Sequence, residues 1–327
     1  MEPYSRHVHL DFHTAEQLAV GERFDGAQFA KTLKDAAVNS IVVFAKCHHG
    51  WCYYPTKVGV MHPRLKFDLL GEQIKACRAA GIRVIAYITG AWSASDVVRH
   101  PEWQAVDFDT HRPIFTRGGA RGIYEPGAEN APKPACTGAY LCMAGAYGEH
   151  MKALAREVLD NYEVDGLFFD IMGLNIPCVC DTCVSEMKAS GYAVEDIRSV
   201  SAFAVERRKK LFGELRDMVL AKGPALTVFF NSGGAEINKP EYWQYFTHFE
   251  MENLPTKSAV GYDAIVNRSK FFRELGKPVY GMTGKFHTEW GSSAALSIPR
   301  HSWGNAPPWL PTVCAVISGI SFIQTGK

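Results

Sequence analysis

The sequence predicts an α/β fold, a (β/α)8 barrel of the TIM type that lacks a proper eighth strand. Over its 327 residues, seven short apolar runs alternate with amphipathic helical stretches, which indicates parallel strands joined by right-handed crossovers. No Gly-x-Gly-x-x-Gly follows the first run, which argues against a dinucleotide-binding sheet. No repeat or linker divides the chain, so we expect one catalytic barrel domain over residues 1–291 and a divergent tail over 292–327.

The elements follow in order along the chain. Most apolar runs are four to eight residues rich in Val, Ile, Phe and Tyr, as in strands buried on both faces: His7–His13, Ser40–Lys46, Arg83–Thr89, Gly166–Ile171, Leu226–Asn231, Phe246–Glu252 and Pro278–Thr283. Apolar residues three and four apart predict helices between them: Leu70–Ala80, Tyr147–Tyr162, Val205–Ala221 and one ending in Phe271–Gly276. Thr116–Ala139, rich in Gly and Pro, is expected to loop over the barrel mouth.

Composition excludes several classes of protein. With 47% apolar and 21% charged residues and a net charge of +1, the chain is neither disordered nor patterned for nucleic acid or an anionic membrane. The longest apolar stretch, Val313–Ile323, is too short to span a bilayer, and the first residues lack a signal-peptide core. We therefore expect a soluble cytoplasmic protein, and the sequence leaves a homo-oligomer open.

Polar residues end most of the predicted strands, where the chemistry of such barrels lies. The fourth strand ends at Asp170, the fifth at Asn231 and the sixth at Glu250 and Glu252, which share one face. A retaining glycosidase needs two carboxyl groups about 5–5.5 Å apart, and inward-facing carboxylates on strands four and six could meet at that distance. The competing interpretation of Asp170 is a cap for the next helix.

Histidine and aromatic residues follow the first, second and seventh strands. Alternation puts His9, Asp11 and His13 on one face, and His48 and His49 stand close to Trp51 and two tyrosines. Aromatic faces and imidazole donors suit the faces of a sugar. Since adjacent residues of an extended segment point in opposite directions, one of the two histidines could pack while the other binds.

Several motifs resemble those of known glycosidases. The segment AKCHHGWCYYPTK at 45–57, the helix and strand that follow it, and VDGLFFD at 164–170 resemble glycoside hydrolase family 29 α-L-fucosidases. The cysteine cluster, the Glu-x-Glu-x-Leu-Pro segment and GMTGKFHTEW at 281–290 are similar to the related family 151 and its hypothetical glycosyl hydrolase 6 relatives. The resemblance runs from His7 to Gly291 and implies a barrel α-L-fucosidase that needs no cofactor for catalysis.

Carried over position by position, the resemblance implies roles for particular residues. Asp170 would be the nucleophile, and Glu252, with Glu250 second, the general acid/base. Sugar contacts would come from strand-end residues: His13, His48, His49, Trp51, Asn231, His287 and Trp290. The chain lacks the Asp that follows the histidine pair in family 29, which weakens the assignment of fucose as the sugar.

A cysteine cluster follows the fourth strand. Cys178, Cys180 and Cys183 resemble the zinc cluster of some barrel galactosidases, and three thiolates at this spacing suit tetrahedral zinc with a fourth ligand from Cys142 or Cys136. A structural zinc ion and free cysteines both remain open.

The tail after Gly291 changes character. Residues 292–327 contain four Pro and two Trp and no convincing strand followed by a helix. Back-translation one base earlier permits Phe-Gly-Gly and Gly-Asp-Gln-Leu-His-Pro segments like those of the family. We therefore hypothesise a frameshift near codon 291, and an unclosed barrel would leave the chain poorly soluble or inactive.

Two other functions compete with a glycosidase. His7 and His9, or His9 and His13, on the first strand would suit a metal-dependent hydrolase of the amidohydrolase kind if later strands supplied further ligands. A barrel that binds sugar without turnover is the second alternative.

Overall fold

A computed structural model describes residues 6–117, 120–123, 139–172, 176–231, 236–252, 263–284 and 313–318. Its centre is an eight-stranded parallel sheet with the order β7-β6-β3-β2-β1-β10-β9-β8. The strands are β1 (Arg6–Asp11), β2 (Ser40–Lys46), β3 (Arg83–Thr89), β6 (Gly166–Asp170), β7 (Thr227–Phe230), β8 (Phe249–Glu252), β9 (Val279–Gly284) and β10 (Val313–Ser318). β1, β2, β3, β6 and β7 are neighbours in chain order, as are β8, β9 and β10, and β10 pairs with β1. This order is that of a TIM-type barrel, so the fold prediction is confirmed.

The seven predicted strands are all present within a few residues of the expected bounds. β2 and β3 match to the residue, and in β2 every position is buried. A strand that is covered by barrel interior on one side and helices on the other has no polar face, which is why these runs read as unbroken apolar segments.

The described sheet does not close, as expected for an incomplete barrel, but the tail supplies a strand, β10, that the sequence did not predict. β10 pairs in parallel with β1 and with β9, for example Ala315 with Val8 and with Thr283. Its run of Val, Cys, Ala and Ile is what a strand buried on both faces requires, so the tail does supply this element. The break in the sheet lies instead between β7 and β8, for which no ladder is described. The rest of the tail lies outside the described residues, and the domain boundary at 291 and the frameshift stay predictions.

Seven α-helices are described: α1 (Gly26–Asp35), α2 (Leu69–Ala79), α3 (Ala94–Arg99), α4 (Gly145–Asn161), α5 (Asp181–Ala189), α6 (Ile197–Lys222) and α7 (Asp263–Arg273). α1, α3 and α5 were not predicted, and α6 begins eight residues before the predicted Val205. Side-chain caps fix three of the helix starts, at Asp25, Asp68 and Asp196. An antiparallel hairpin of β4 (Ile114–Arg117) and β5 (Ala120–Ile123) occupies the start of the loop expected at 116–139, and residues 124–138 lie outside the described residues.

Aromatic rings fill the barrel below its carboxyl-terminal mouth. The rings of Phe44 and Tyr87 stack at 3.8 Å, and His9 meets the edge or face of Phe168 at 4.9 Å. On the β8 side the filling is polar, with His248 and Glu250 both 4% exposed. A packed floor of this kind leaves the strand ends as the place where polar groups meet a ligand.

Candidate active site

Asp170, the last residue of β6, is held by three donors. Its Oδ1 accepts hydrogen bonds from Asn231 Nδ2 at 2.8 Å and from the Ile171 N–H at 2.8 Å. Its Oδ2 accepts one from the Tyr87 hydroxyl at 2.6 Å. Burial raises the pKa of this carboxyl, and the hydrogen bonds from Tyr87 and Asn231 oppose that rise by stabilising the ionised form. The carboxylate is therefore fixed in orientation and kept basic enough to act as a nucleophile.

The backbone around Asp170 is tightly constrained. Ile171 has φ of +54°, a conformation that a β-branched residue rarely adopts. The Gly90 N–H donates to the Asp170 carbonyl oxygen at 2.7 Å, and a Cβ on Gly90 would lie 2.7 Å from that same oxygen. Strain of this kind costs about 1–3 kcal/mol and persists where neighbouring structure enforces it. The close approach of β3 to β6 enforces it here and aims the Asp170 side chain at the barrel mouth.

Asn231 joins Asp170 to Glu252. Its Nδ2 contacts Asp170 Oδ1 at 2.8 Å and Glu252 Oε2 at 3.2 Å. If each oxygen accepts one of the two amide hydrogens, which diverge by about 120°, the two carboxylate oxygens lie roughly 5 Å apart. The fold thus places the Asp170 and Glu252 side chains on the same Asn231 amide, while their catalytic roles stay predictions.

Glu250 lies deeper than Glu252. It is 4% exposed, and its Oε1 accepts a hydrogen bond from His248 Nε2 at 2.8 Å. Burial raises the pKa of Glu250, but the hydrogen bond from His248 and the charges of neighbouring histidines outweigh burial and hold that pKa below its ordinary value. Of the two glutamates on this face of β8, Glu252 is the one in contact with the Asp170 cluster.

His48 faces Asp170 from the loop after β2. Because the Thr89 hydroxyl donates its one proton to the Trp92 carbonyl at 2.9 Å, His48 Nδ1 is the donor in its 2.6 Å contact with Thr89 Oγ1. Burial lowers the pKa of His48 well below its usual value, so the ring is neutral. Its Nε2 then carries a lone pair 3.5 Å from Asp170 Oδ2. A substrate hydroxyl could donate to that nitrogen.

His13 stacks on His48, with ring centroids 3.9 Å apart, and its Nδ1 accepts the His48 N–H at 3.1 Å. His49 and Trp51 lie further along the same loop and are half-buried. Burial lowers the pKa of His49 to about 4, so it too is neutral near pH 7. His287 and Trp290 lie outside the described residues, and their roles stay predictions.

Sequence reasoning missed Tyr87 and Thr89 as site residues. They lie two residues apart at the carboxyl end of β3, so their side chains share one face of the strand. That face is the one that carries the polar residues at the ends of the other strands. Extending the period-two argument to this strand would have found them.

A buried ion pair supports the histidine loop. Lys46 Nζ lies 2.5 Å from Asp96 Oδ2, and Asp96 is also bonded by Ser93 and Arg99. Despite burial, these partners lower the pKa of Asp96 to about 2, while Asp96 raises the pKa of Lys46. The N–H of Ala94 donates to the His48 carbonyl at 3.1 Å, so the pair fixes α3 beneath the loop.

Four cysteine sulfurs converge beside the site. The Sγ atoms of Cys142, Cys178, Cys180 and Cys183 all lie within 4.8 Å of one another, and Cys136 lies outside the described residues. The Val106 N–H donates to Cys178 Sγ at 3.3 Å. Four sulfurs at this separation fit a tetrahedral zinc ion with Zn–S distances of about 2.3 Å. Through the Leu141 N–H, which donates to the Ala91 carbonyl at 2.8 Å, the cluster is tied to the end of β3.

The amidohydrolase alternative lacks a convergent ligand set in the part of the chain that the structure describes. Within those residues the four cysteines form the one group of three or more metal-ligating side chains that meet. His9 packs among aromatic rings, 5.6 Å from Tyr87. No helix in the described part of the chain is both long and apolar enough to cross a membrane. The cytoplasmic location stays a prediction.

Comparison with known proteins supports the resemblance. The family described as hypothetical glycosyl hydrolase 6 matches residues 25–171. An α-L-fucosidase, isoenzyme 2 from Paenibacillus thiaminolyticus, is 31% identical with a TM-score of 0.82, and the match covers 96% of this chain and 46% of that protein. This chain thus spans about half the length of that fucosidase. No curated protein matches the chain.

More distant structures share the fold. The PgaB (BpsB) glycoside hydrolase domain from Bordetella bronchiseptica is 14% identical with a TM-score of 0.64, covering 96% of this chain and 94% of that domain. The α-L-fucosidase AlfC from Lactobacillus casei is 13% identical with a TM-score of 0.52, and the match covers 91% of this chain and 74% of that protein. The chain therefore resembles α-L-fucosidases in sequence and glycoside hydrolase barrels in fold.

Proposed function

We propose that this chain is a glycoside hydrolase, a retaining exo-acting α-L-fucosidase. The observation that carries the proposal is the Asn231 amide, which contacts the carboxylates of Asp170 and Glu252 at 2.8 and 3.2 Å. If each carboxylate oxygen accepts a different hydrogen of that amide, the two oxygens lie roughly 5 Å apart, which matches retaining enzymes, whereas inverting enzymes hold their carboxyl groups about 6.5–9.5 Å apart to admit a water molecule.

In the first step the Asp170 carboxylate attacks the anomeric carbon, the glycosidic C–O bond breaks, and Glu252 gives its proton to the departing oxygen. The fucosyl group is then esterified to Asp170. In the second step Glu252, now ionised, takes a proton from water, whose oxygen attacks the same carbon and releases Asp170. Asn231 remains hydrogen-bonded to both carboxylates and keeps their separation fixed.

Sugar binding falls to the loop after β2. The lone pair of His48 Nε2 accepts a sugar hydroxyl, and His13, stacked at 3.9 Å, holds the imidazole in place. His49 and Trp51 offer a donor and an aromatic face at the rim. Fucose as the sugar rests on the resemblance to the Paenibacillus thiaminolyticus enzyme, because the loop lacks the Asp found in family 29.

A panel of 4-nitrophenyl glycosides tests the sugar, and proton NMR of the first product tests the stereochemistry. We expect turnover of the α-L-fucoside with the α-anomer of fucose formed first. An initial β-anomer would refute the retaining mechanism. A folded protein that binds fucose but cleaves no glycoside would instead support a non-catalytic sugar-binding barrel.

We further propose that the cluster of Cys142, Cys178, Cys180 and Cys183 holds one structural zinc ion. Elemental analysis of the purified protein should find about one zinc per chain, and Cys180→Ser should lower both zinc content and melting temperature. Cys77→Ser, at a buried cysteine outside the cluster, is the matched control for zinc content. Full-length protein without zinc and with unaltered stability in Cys180→Ser would show free cysteines.

A further inference from the structure

No ladder joins β7 to β8 among the described residues, and Thr247 makes hydrogen bonds across this seam. The Thr247 N–H donates to the Val228 carbonyl oxygen at 3.1 Å, and the Val228 N–H donates to Thr247 Oγ1 at 2.9 Å. A side-chain hydroxyl therefore takes the place of the backbone acceptor that a neighbouring strand would supply. The same hydroxyl also lies 3.1 Å from the Val228 carbonyl oxygen, so the backbone and the side chain of Thr247 both contribute hydrogen bonds between these two edges.

The Thr247 hydroxyl continues into a polar chain inside the barrel. Its Oγ1 contacts His248 Nδ1 at 3.0 Å, and His248 Nε2 contacts Glu250 Oε1 at 2.8 Å. His7 and His9 of β1 lie near this pair, and burial lowers the pKa of His7 to about 4, so His7 is neutral near pH 7. A buried carboxylate costs free energy unless it is paired, so the Glu250 carboxylate favours its hydrogen bond with the His248 ring. That ring in turn contacts the Thr247 hydroxyl.

We propose that Thr247, His248 and Glu250, here called the seam chain, position Glu252 for proton transfer, an inference that rests on the proposed function. Glu252 stands two residues beyond Glu250 on the same face of β8 and reaches Asn231, the residue that follows β7, at 3.2 Å. Any shift of β8 against β7 therefore changes the distance from Glu252 to Asp170. Glu250 lies about 7 Å deeper along β8 than Glu252, and its Oε1 is hydrogen-bonded to His248. Glu250 is therefore a positioning residue.

The leaving group of the substrate reports a misplaced acid. A poor leaving group such as phenol needs a proton from Glu252, whereas 2,4-dinitrophenolate departs without one. Thr247→Val keeps the side-chain shape and removes the hydroxyl. We expect it to lower kcat/KM for the phenyl α-L-fucoside at least about 10-fold more than for the 2,4-dinitrophenyl α-L-fucoside. Thr247→Ser, which restores the hydroxyl, should stay within about 3-fold of wild type on both substrates.

Thr32→Val is the matched control, since the Thr32 hydroxyl contacts only the carbonyl of its own helix, Gln28 O at 2.8 Å. Glu250→Gln keeps an acceptor for His248 and is the second variant. We expect this variant to lower kcat/KM for the phenyl α-L-fucoside about 10-fold or less. Replacing the acid/base residue itself would lower it about 10²- to 10⁴-fold.

Equal losses on both substrates in Thr247→Val, or unchanged rates, would overturn the seam chain as a positioning device. A loss above about 100-fold on the phenyl substrate alone in Glu250→Gln would make Glu250 the acid itself. Wild-type protein that cleaves neither fucoside would overturn the proposed function and the inference with it. This outcome differs from a failure of the seam chain alone, because it is observed without any variant.

Discussion

Replacing Asn231 by leucine removes the amide between the two proposed catalytic carboxylates while nearly preserving volume. Asn231 is 5% exposed, and its backbone bonds, N–H to the Phe169 carbonyl and carbonyl from the Met172 N–H, do not depend on the side chain. Asp170 would keep two donors, Tyr87 and its own neighbour's N–H, and would lose the third. The fold should therefore survive and the site should not.

The size of the effect follows from the charge of the acceptor. A hydrogen bond to a charged group contributes about 1.5–3 kcal/mol, which corresponds to roughly a 10- to 150-fold loss in kcat/KM. The amide also stabilises the ionised form of Asp170, whose pKa burial already raises. Its removal should raise that pKa further, because the carboxylate loses a donor that stabilises its ionised form.

The assay is kcat/KM for an aryl α-L-fucoside between pH 4 and pH 9. Because Asp170 must be ionised to attack, the acidic limb of the pH profile should move toward neutral pH. Asn161→Leu, at an exposed residue at the end of α4, is the control for the substitution itself. An acidic limb that stays in place, with kcat/KM within about 3-fold of wild type, would refute the role given to Asn231.

Two further predictions concern the groups behind the site. Lys46→Met removes the buried cation that pairs with Asp96, while Arg99, about one third exposed, still contacts that carboxylate. We expect a cost of about 3 kcal/mol and a melting temperature lower by roughly 4–5 °C in a chain of this length, whereas Lys31→Met, in an exposed pair, should cost less than about 1 kcal/mol. The pKa of Asp96 is lowered from 3.8 to about 2, so the stability that its pairing provides is present above pH 4 and is lost as pH falls toward 2. A difference in stability between wild type and Lys46→Met that stayed constant down to about pH 2 would contradict this assignment. Gly90→Ala places a Cβ 2.7 Å from the Asp170 carbonyl oxygen and should lower kcat/KM about 10- to 100-fold. In the control Gly213→Ala the new Cβ lies 3.6 Å from its nearest neighbour, and kcat/KM should stay unchanged. Equal activities of the two variants would show that the contact at the end of β3 does not position Asp170.

The strands were predictable because a barrel strand is buried on both sides and so leaves a continuous apolar run. β10 was missed for the same reason, since Val313–Ser318 carries no periodicity to distinguish a strand from any other apolar segment. α1 was missed although Asp25 caps it, because only Phe29 and Leu33 of its ten residues are buried. A helix with so small an apolar face gives a weak signal.

The site was predictable where a polar residue ended an apolar run, as Asp170, Asn231 and Glu252 do. The difference between Glu250 and Glu252 was not, because both face inward and only their depth in the barrel separates them. Tyr87 and Thr89 were hidden because β3 ends in residues that are also common in cores. The pairing of Lys46 with Asp96 joins residues fifty apart, which no local pattern encodes.

The most direct test of the central claim is azide rescue of Asp170→Gly with an aryl α-L-fucoside. Without a nucleophile the variant should be inactive, and azide, entering the space left by the carboxylate, should restore cleavage and give fucosyl azide of inverted configuration. Glu252→Gly with a dinitrophenyl substrate should instead give the azide of retained configuration, because Asp170 still forms the ester. Wild-type activity in Asp170→Gly, or a retained azide from it, would contradict the assignment of Asp170 as the nucleophile.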